Sequence, residues 1–181
     1  MRYLIFVSLV FCLLTACSSH KKMTISKADV IPFWTAELMD SIKKNNFRMT
    51  LSTPKATITG ICIVKHIDGT WRGTIINEFG LKVLDFVSHP RECTLLNVIP
   101  FLDKWYIKKV MASDIRFMIE VDNPDYRFGV EANRYWDNDT LVVIYKKEKE
   151  LRRFPDGEVQ YKNKKRELVY SLRKITTNDT D

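Results

Sequence analysis

The sequence is poor in the residues from which reactive sites are usually assembled. Of its 181 residues, 3 are histidine, 4 cysteine and 6 glycine. His20, His66 and His89 share no metal-ligand spacing, no two cysteines stand as C-x-x-C, and the glycines occur singly. That pattern leaves no zinc knuckle, no thioredoxin-like pair and no glycine-rich loop to cradle a phosphate. Nucleophile-elbow and zincin patterns are missing as well. Paired acid and base carboxylates need a cleft that drives their pKa values apart. Here Asp68 and Asp156 fall in turn dipeptides, while Glu148, Glu150 and Glu167 sit among cations. The expectation is a protein that is not an enzyme and uses neither metal nor cofactor. Long apolar runs are scarce too: Tyr3 to Leu14 is short of the about 20 residues that carry a helix across a ~30 Å hydrocarbon core, and no later run reaches spanning length.

What is present begins at the N-terminus. Arg2 followed by the Tyr3 to Leu14 run has the layout of a secretory signal. Next comes Leu14-Thr15-Ala16-Cys17, which resembles the lipobox of bacterial lipoproteins, where the cysteine becomes the first mature residue and is acylated. The resemblance implies a signal peptide over 1–16, lipid attachment at Cys17, a polar leash to residue 26 and a membrane partner reached through the lipid. Ser18, with no aspartate in its place, resembles outer-membrane sorting in proteobacteria; the expected location is the outer membrane, facing the periplasm. Cleavage removes one arginine and no acidic residue, so the net charge falls from +7 to +6. That moderate excess suits anionic headgroups, and an exported chain has no nucleic acid to meet.

Residues 27–175 read as one domain and 176–181 as a loose tail. Pro32 opens an expected amphipathic helix that Asn45-Asn46 closes. From Phe47 the period changes: "FRMTLST", "ATITGICIVKHI", "WRGTIINEFG" and "LKVLDFVS" read as antiparallel strands, with Asp68-Gly69 a hairpin signal. The segment "TLLNVIPFLDKWYIKKVMASDIRFMIEV" has apolar residues at helical intervals and is expected to cover the sheet, with a break at Pro100 and Ser113-Asp114 as the start of a second helical turn or a separate short helix. "VEANRYW", "TLVVIYKKEKELRRF" and "EVQYKNKKRELVYSLRKI" then return to strands, forming at least one long hairpin with a basic tip. Cys62 and Cys93 are the cysteines left for the domain; an oxidising periplasm permits their pairing, although a buried, unpaired Cys62 suits its apolar strand better.

This order of elements, and above all Thr59 to Val87, "TGICIVKHIDGTWRGTIINEFGLKVLDFV", resembles the LolA/LolB-like outer-membrane lipoprotein-localisation proteins. The resemblance runs over roughly Phe33 to Lys174. It implies an α+β fold, an incomplete antiparallel β-barrel (half-barrel) whose concave side is covered by helices, and a carrier or receptor for lipid or lipoprotein acyl chains. Sheltered acyl chains gain about 0.8 kcal/mol per buried methylene, and the side chains expected to line such a concavity are Ile61, Ile63, Ile75, Leu84, Phe86, Trp105, Met111 and Ile115. The same side chains make a closed core equally well. The alternative is therefore an accessory lipoprotein with a filled interior that contacts another envelope protein.

Overall fold

A computed structural model describes residues 45–122 and 126–175. The signal segment, Cys17, the leash, most of the helix expected from Pro32, and the tail lie outside these residues. Ten strands are described: β1 (Asn45–Ser52), β2 (Thr57–Ile67), β3 (Thr70–Asn77), β4 (Lys82–His89), β5 (Glu92–Leu96), β6 (Asn133–Asp137), β7 (Thr140–Tyr145), β8 (Lys149–Arg153), β9 (Val159–Asn163) and β10 (Leu168–Lys174). Between β5 and β6 come two helices, α1 (Trp105–Glu120) and α2 (Arg127–Glu131). The strands form one antiparallel sheet in the order β5-β4-β3-β2-β1-β10-β9-β8-β7-β6. Neighbours are consecutive in sequence except for β1 with β10, whose pairing fuses two five-stranded wings.

The expected α+β half-barrel with helices covering its concave side is corrected by this arrangement. The domain is mostly a single open ten-stranded antiparallel sheet with a small helical part. Strand pairing claims more of the chain than the sequence pattern assigns to it. Asn45 and Asn46 belong to β1 rather than closing a helix, and Thr94 to Leu96, expected within the helical cover, pair with β4 as the edge strand β5. "TLVVIYKKEKELRRF" folds back on itself as β7 and β8 through Lys146 and Lys147, both in the left-handed region at φ 48° and 59°. β5 and β6 each have one sheet neighbour, so the sheet stays open. The Asp68-Gly69 turn does form, with φ of 49° and 72°, as a two-residue hairpin requires.

Helix α1 runs unbroken through Ser113-Asp114 and is about 24 Å long at 1.5 Å per residue. Its Met111, Ile115, Phe117, Met118 and Ile119 are buried in one apolar cluster with Phe47, Met49, Val64, Leu84, Leu151 and Tyr161 from the sheet. Gly73 is needed for this packing: a Cβ there would stand 2.2 Å from Cζ of Phe86, its cross-strand partner. The missing side chain is what lets the aromatic ring lie over the strand.

Candidate functional site

The eight residues expected to line a concavity do not share one face. Antiparallel register sets Cys62 beside Ile75 and Ile75 beside Leu84, while Val64 faces Gly73 and Gly73 faces Phe86. Since side chains alternate along a strand, Ile75, Leu84 and Phe86 point inward with Cys62 and Val64, and Ile61 and Ile63 point to the outer face. Met111 and Ile115 do meet the inward group. Trp105 does not: it sits in the first turn of α1 and is 74 % exposed.

Among the described residues, a gap of about 20 Å³ lies between α1 and the sheet, bounded by Met49, Cys62, Val64, Ile75, Phe86, Ile115, Met118, Ile119, Tyr170 and Leu172. A void of that size holds about one water, and a water needs polar partners. Beside a chain of methylenes it is a packing defect. Among the described residues, the inward members of the expected lining, Ile75, Leu84, Phe86, Met111 and Ile115, belong to one hydrophobic cluster.

One polar constellation is built into this interior. Asp114 is fully buried on the apolar face of α1. Its Oδ1 accepts hydrogen bonds from Lys149 Nζ at 3.0 Å, Tyr161 Oη at 2.6 Å and Asn163 Nδ2 at 2.9 Å. Lys149 Nζ also donates to the carbonyl and hydroxyl of Ser113, at 2.9 and 3.0 Å, and lies 5.4 Å from the centroid of the Phe117 ring. Burial pushes the Lys149 ammonium below its ordinary pKa, and the Asp114 charge offsets only part of this. Burial and then the same carboxylate raise Tyr161 well above the phenol range, so its hydroxyl remains a donor. A second ion pair, Arg153 with Asp122, ties β8 to the segment just after α1. With Asp114, Tyr161 and Asn163 buried and Lys149 mostly so, the cluster ties the helix to the sheet.

The outside differs. Phe79 is 79 % exposed at the β3–β4 turn, with Leu81 beside it, and Phe101, Trp105 and Tyr106 are exposed at the start of α1. A hydrogen bond from Ile99 N to the Val83 carbonyl, 2.9 Å, lays the loop before α1 along the beginning of β4. That contact brings the two apolar groups to the same end of the sheet, with Lys82, Lys104 and Lys109 exposed nearby. Clustered exposed aromatics of this kind mark interaction surfaces. Phe79, Leu81 and Phe101 were not foreseen from the sequence; three aromatic or aliphatic residues next to glycine, proline or a turn were the available signal.

The disulfide that the periplasm would permit does not form: Cys62 is buried and unpaired, and Cys93 is free. Two intervening strands separate them by about 14 Å across the sheet at ~4.8 Å per strand, and the register offsets them by four further residues along it, beyond the Cα separation that a disulfide bridges. Burial pushes the Cys62 thiol up to about 12 and the Cys93 thiol up to about 11, leaving both unreactive at neutral pH. His66 stacks at 4.7 Å on Trp71, and His89 Nδ1 lies 3.2 Å from the Thr70 hydroxyl. Among the described residues no group of His, Cys, Asp and Glu could hold a metal ion, and no helix is long and apolar enough to cross a membrane. Compared with known proteins, the chain matches no family model and no curated protein.

Proposed function

We propose that this chain is a lipid-anchored, non-enzymatic domain of the outer membrane that faces the periplasm and works through surface contacts with another envelope protein. The lipobox at Leu14 to Cys17 supports the anchor. The observation that supports the contact reading is the tight packing under α1: among the described residues the gap between helix and sheet is about 20 Å³, too small for an acyl chain. The exposed aromatic end supplies a surface of suitable chemistry, because aromatic side chains carry much of the energy of protein interfaces. A photo-crosslinking residue in place of Trp105, tested in native membranes, should give one dominant protein adduct. Adducts confined to lipid, or none, would contradict the reading.

A second reading, carriage of an acyl-bearing lipid or lipoprotein, draws support from two features. The walls of the gap are wholly apolar. The polar anchors of α1 to the sheet, at Asp114, at Glu120 through the Arg91 backbone N–H, and at the following Asp122, all lie in or beyond its second half. A helix held at one end can lift at the other, and for that reading Trp105 would mark the free end.

A further inference from the structure

The open sheet has two edge strands, β5 and β6, and they are finished differently. An edge strand presents a row of unpaired N–H and C=O groups, which proteins commonly guard with lysine, proline, a bulge or a charge turned inward. β6 is guarded in the last way: Arg134 donates to the carbonyls of Val121, Gly129 and Ala132 at 2.5, 2.9 and 3.1 Å. β5, Glu92-Cys93-Thr94-Leu95-Leu96, has no lysine, proline or bulge, and its one charge stands at its first position. Among the described residues, no backbone hydrogen bond reaches β5 from any element but β4.

The turn fixes which groups are free. Pro90 and Arg91 form a two-residue connection, so the flanking pair His89 and Glu92 is hydrogen-bonded and the pairs beyond it alternate. Glu92, Thr94 and Leu96 therefore bond to β4, and Cys93 and Leu95 direct their N–H and C=O groups away from it. The side chains divide in the same way. Cys93 and Leu95 are half-buried against the apolar cluster that includes α1, whereas Glu92, Thr94 and Leu96 are exposed on the outer face.

We propose that β5 pairs antiparallel with β5 of a second copy of this chain, joining the two sheets about a two-fold axis at Thr94. The register follows from the free groups. Cys93 exchanges hydrogen bonds with the partner's Leu95, which sets Thr94 against the partner's Thr94 and Glu92 against the partner's Leu96. No like charges are opposed in this register, and threonine beside threonine is a favourable cross-strand pair. That self-match favours a second copy over a strand of another protein. Pairing of β5 with the partner's β6 would meet the guarded edge and, being head-to-tail, would leave an edge free at each end, whereas β5 with β5 is isologous and closes. The pairing is independent of the contact at Trp105.

Sedimentation of the full-length protein in detergent should show a monomer–dimer equilibrium. Thr94→Lys and Thr94→Glu should each weaken the dimer at least about tenfold, because like charges then meet on the axis. An equal mixture of the two variants should regain it, since opposite charges then face each other. Thr94 is exposed, so neither change should move the melting temperature. Disulfide trapping in native membranes, with Cys93→Ser as background, reads the register. Facing residues of a non-hydrogen-bonded pair have Cα atoms about 4.5 Å apart, within disulfide reach. Thr94→Cys should give a linked homodimer on mild oxidation, while Glu92→Cys and Leu96→Cys should link to each other when co-expressed and not to themselves. A monomer at every concentration, an undiminished dimer in both charge variants, self-linking at position 92 or 96, or a Thr94→Cys adduct only to another protein would overturn the proposal.

Discussion

The two wings of the sheet hold α1 by different means. Under the β1–β5 wing, Ile115, Met118 and Ile119 meet Met49, Cys62, Val64, Ile75 and Phe86, all apolar and without directional bonds; the polar tie is at the margin, where the Arg91 backbone reaches Glu120. On the other wing Asp114 binds Lys149, Tyr161 and Asn163 from β8 and β9, with Arg153 and Asp122 close behind. Apolar contact is non-directional and tolerates sliding, whereas a buried ion pair with satisfied hydrogen bonds has one good geometry. The difference teaches that the β6–β10 wing sets where the helix lies and the β1–β5 wing supplies the area that keeps it there.

Breaking the polar side should have the largest effect. Asp114→Ala strands a buried ammonium and is expected to cost about 3–5 kcal/mol in urea unfolding, with Lys149→Met in the same chain restoring a good part of it. A cost below about 1 kcal/mol would mean that the cluster does not position the helix. On the apolar side, Gly73→Ala drives a Cβ into the Phe86 ring. The expected loss is about 1–3 kcal/mol, relieved by shortening the ring in Gly73→Ala with Phe86→Leu, as read from the same unfolding curves.

Each wing also carries one carboxylate held below its ordinary pKa. Burial pushes Asp85 up, but hydrogen bonds from Asn97 and Thr74, each 2.7 Å, and from Lys82, 3.1 Å, bring it down. Burial likewise raises Glu150, and Lys164 and Arg152 reverse the sign. A folded-state pKa below the unfolded value contributes stability that is present above the ordinary values of 3.8 and 4.5 and lost as pH falls through the depressed ones. Stability should therefore drop on the acid side of these values. Asp85→Asn and Glu150→Gln should each flatten that limb, and an unchanged acid limb in both would contradict the assignment. The smallest stability effect is expected at the exposed end: Trp105→Ala should shift the unfolding free energy by less than about 0.5 kcal/mol, yet remove the partner that a crosslinker at 105 captures.

How much of this was legible depended on whether a local signal existed. Asp68-Gly69 announced its turn because its chemistry is that of a left-handed pair. Lys146-Lys147 adopts the same region without glycine or asparagine, so one long strand was expected where two now pair. β2 carries apolar side chains on both faces, and only the register with β1 and β3 decides that Cys62 and Val64 point inward while Ile61 and Ile63 do not. The helix was visible from its spacing, and its true start at Trp105 was not, because Leu95, Val98 and Ile99 extend the apolar pattern through β5 and the loop. Asp114 stands in the apolar stripe between Met111 and Met118, a place where a carboxylate needs a partner; with Ser113 it reads locally as a helix start, because its partners lie on strands 35 to 49 residues away.

The most direct test of the filled interior is native mass spectrometry of the full-length protein purified from membranes under mild conditions, comparing its mass with that of the covalently acylated chain. The mass of the acylated polypeptide alone is expected. A stoichiometric, non-covalent lipid that survives detergent exchange, and is lost when Ile115→Trp fills the space beneath α1, would contradict it.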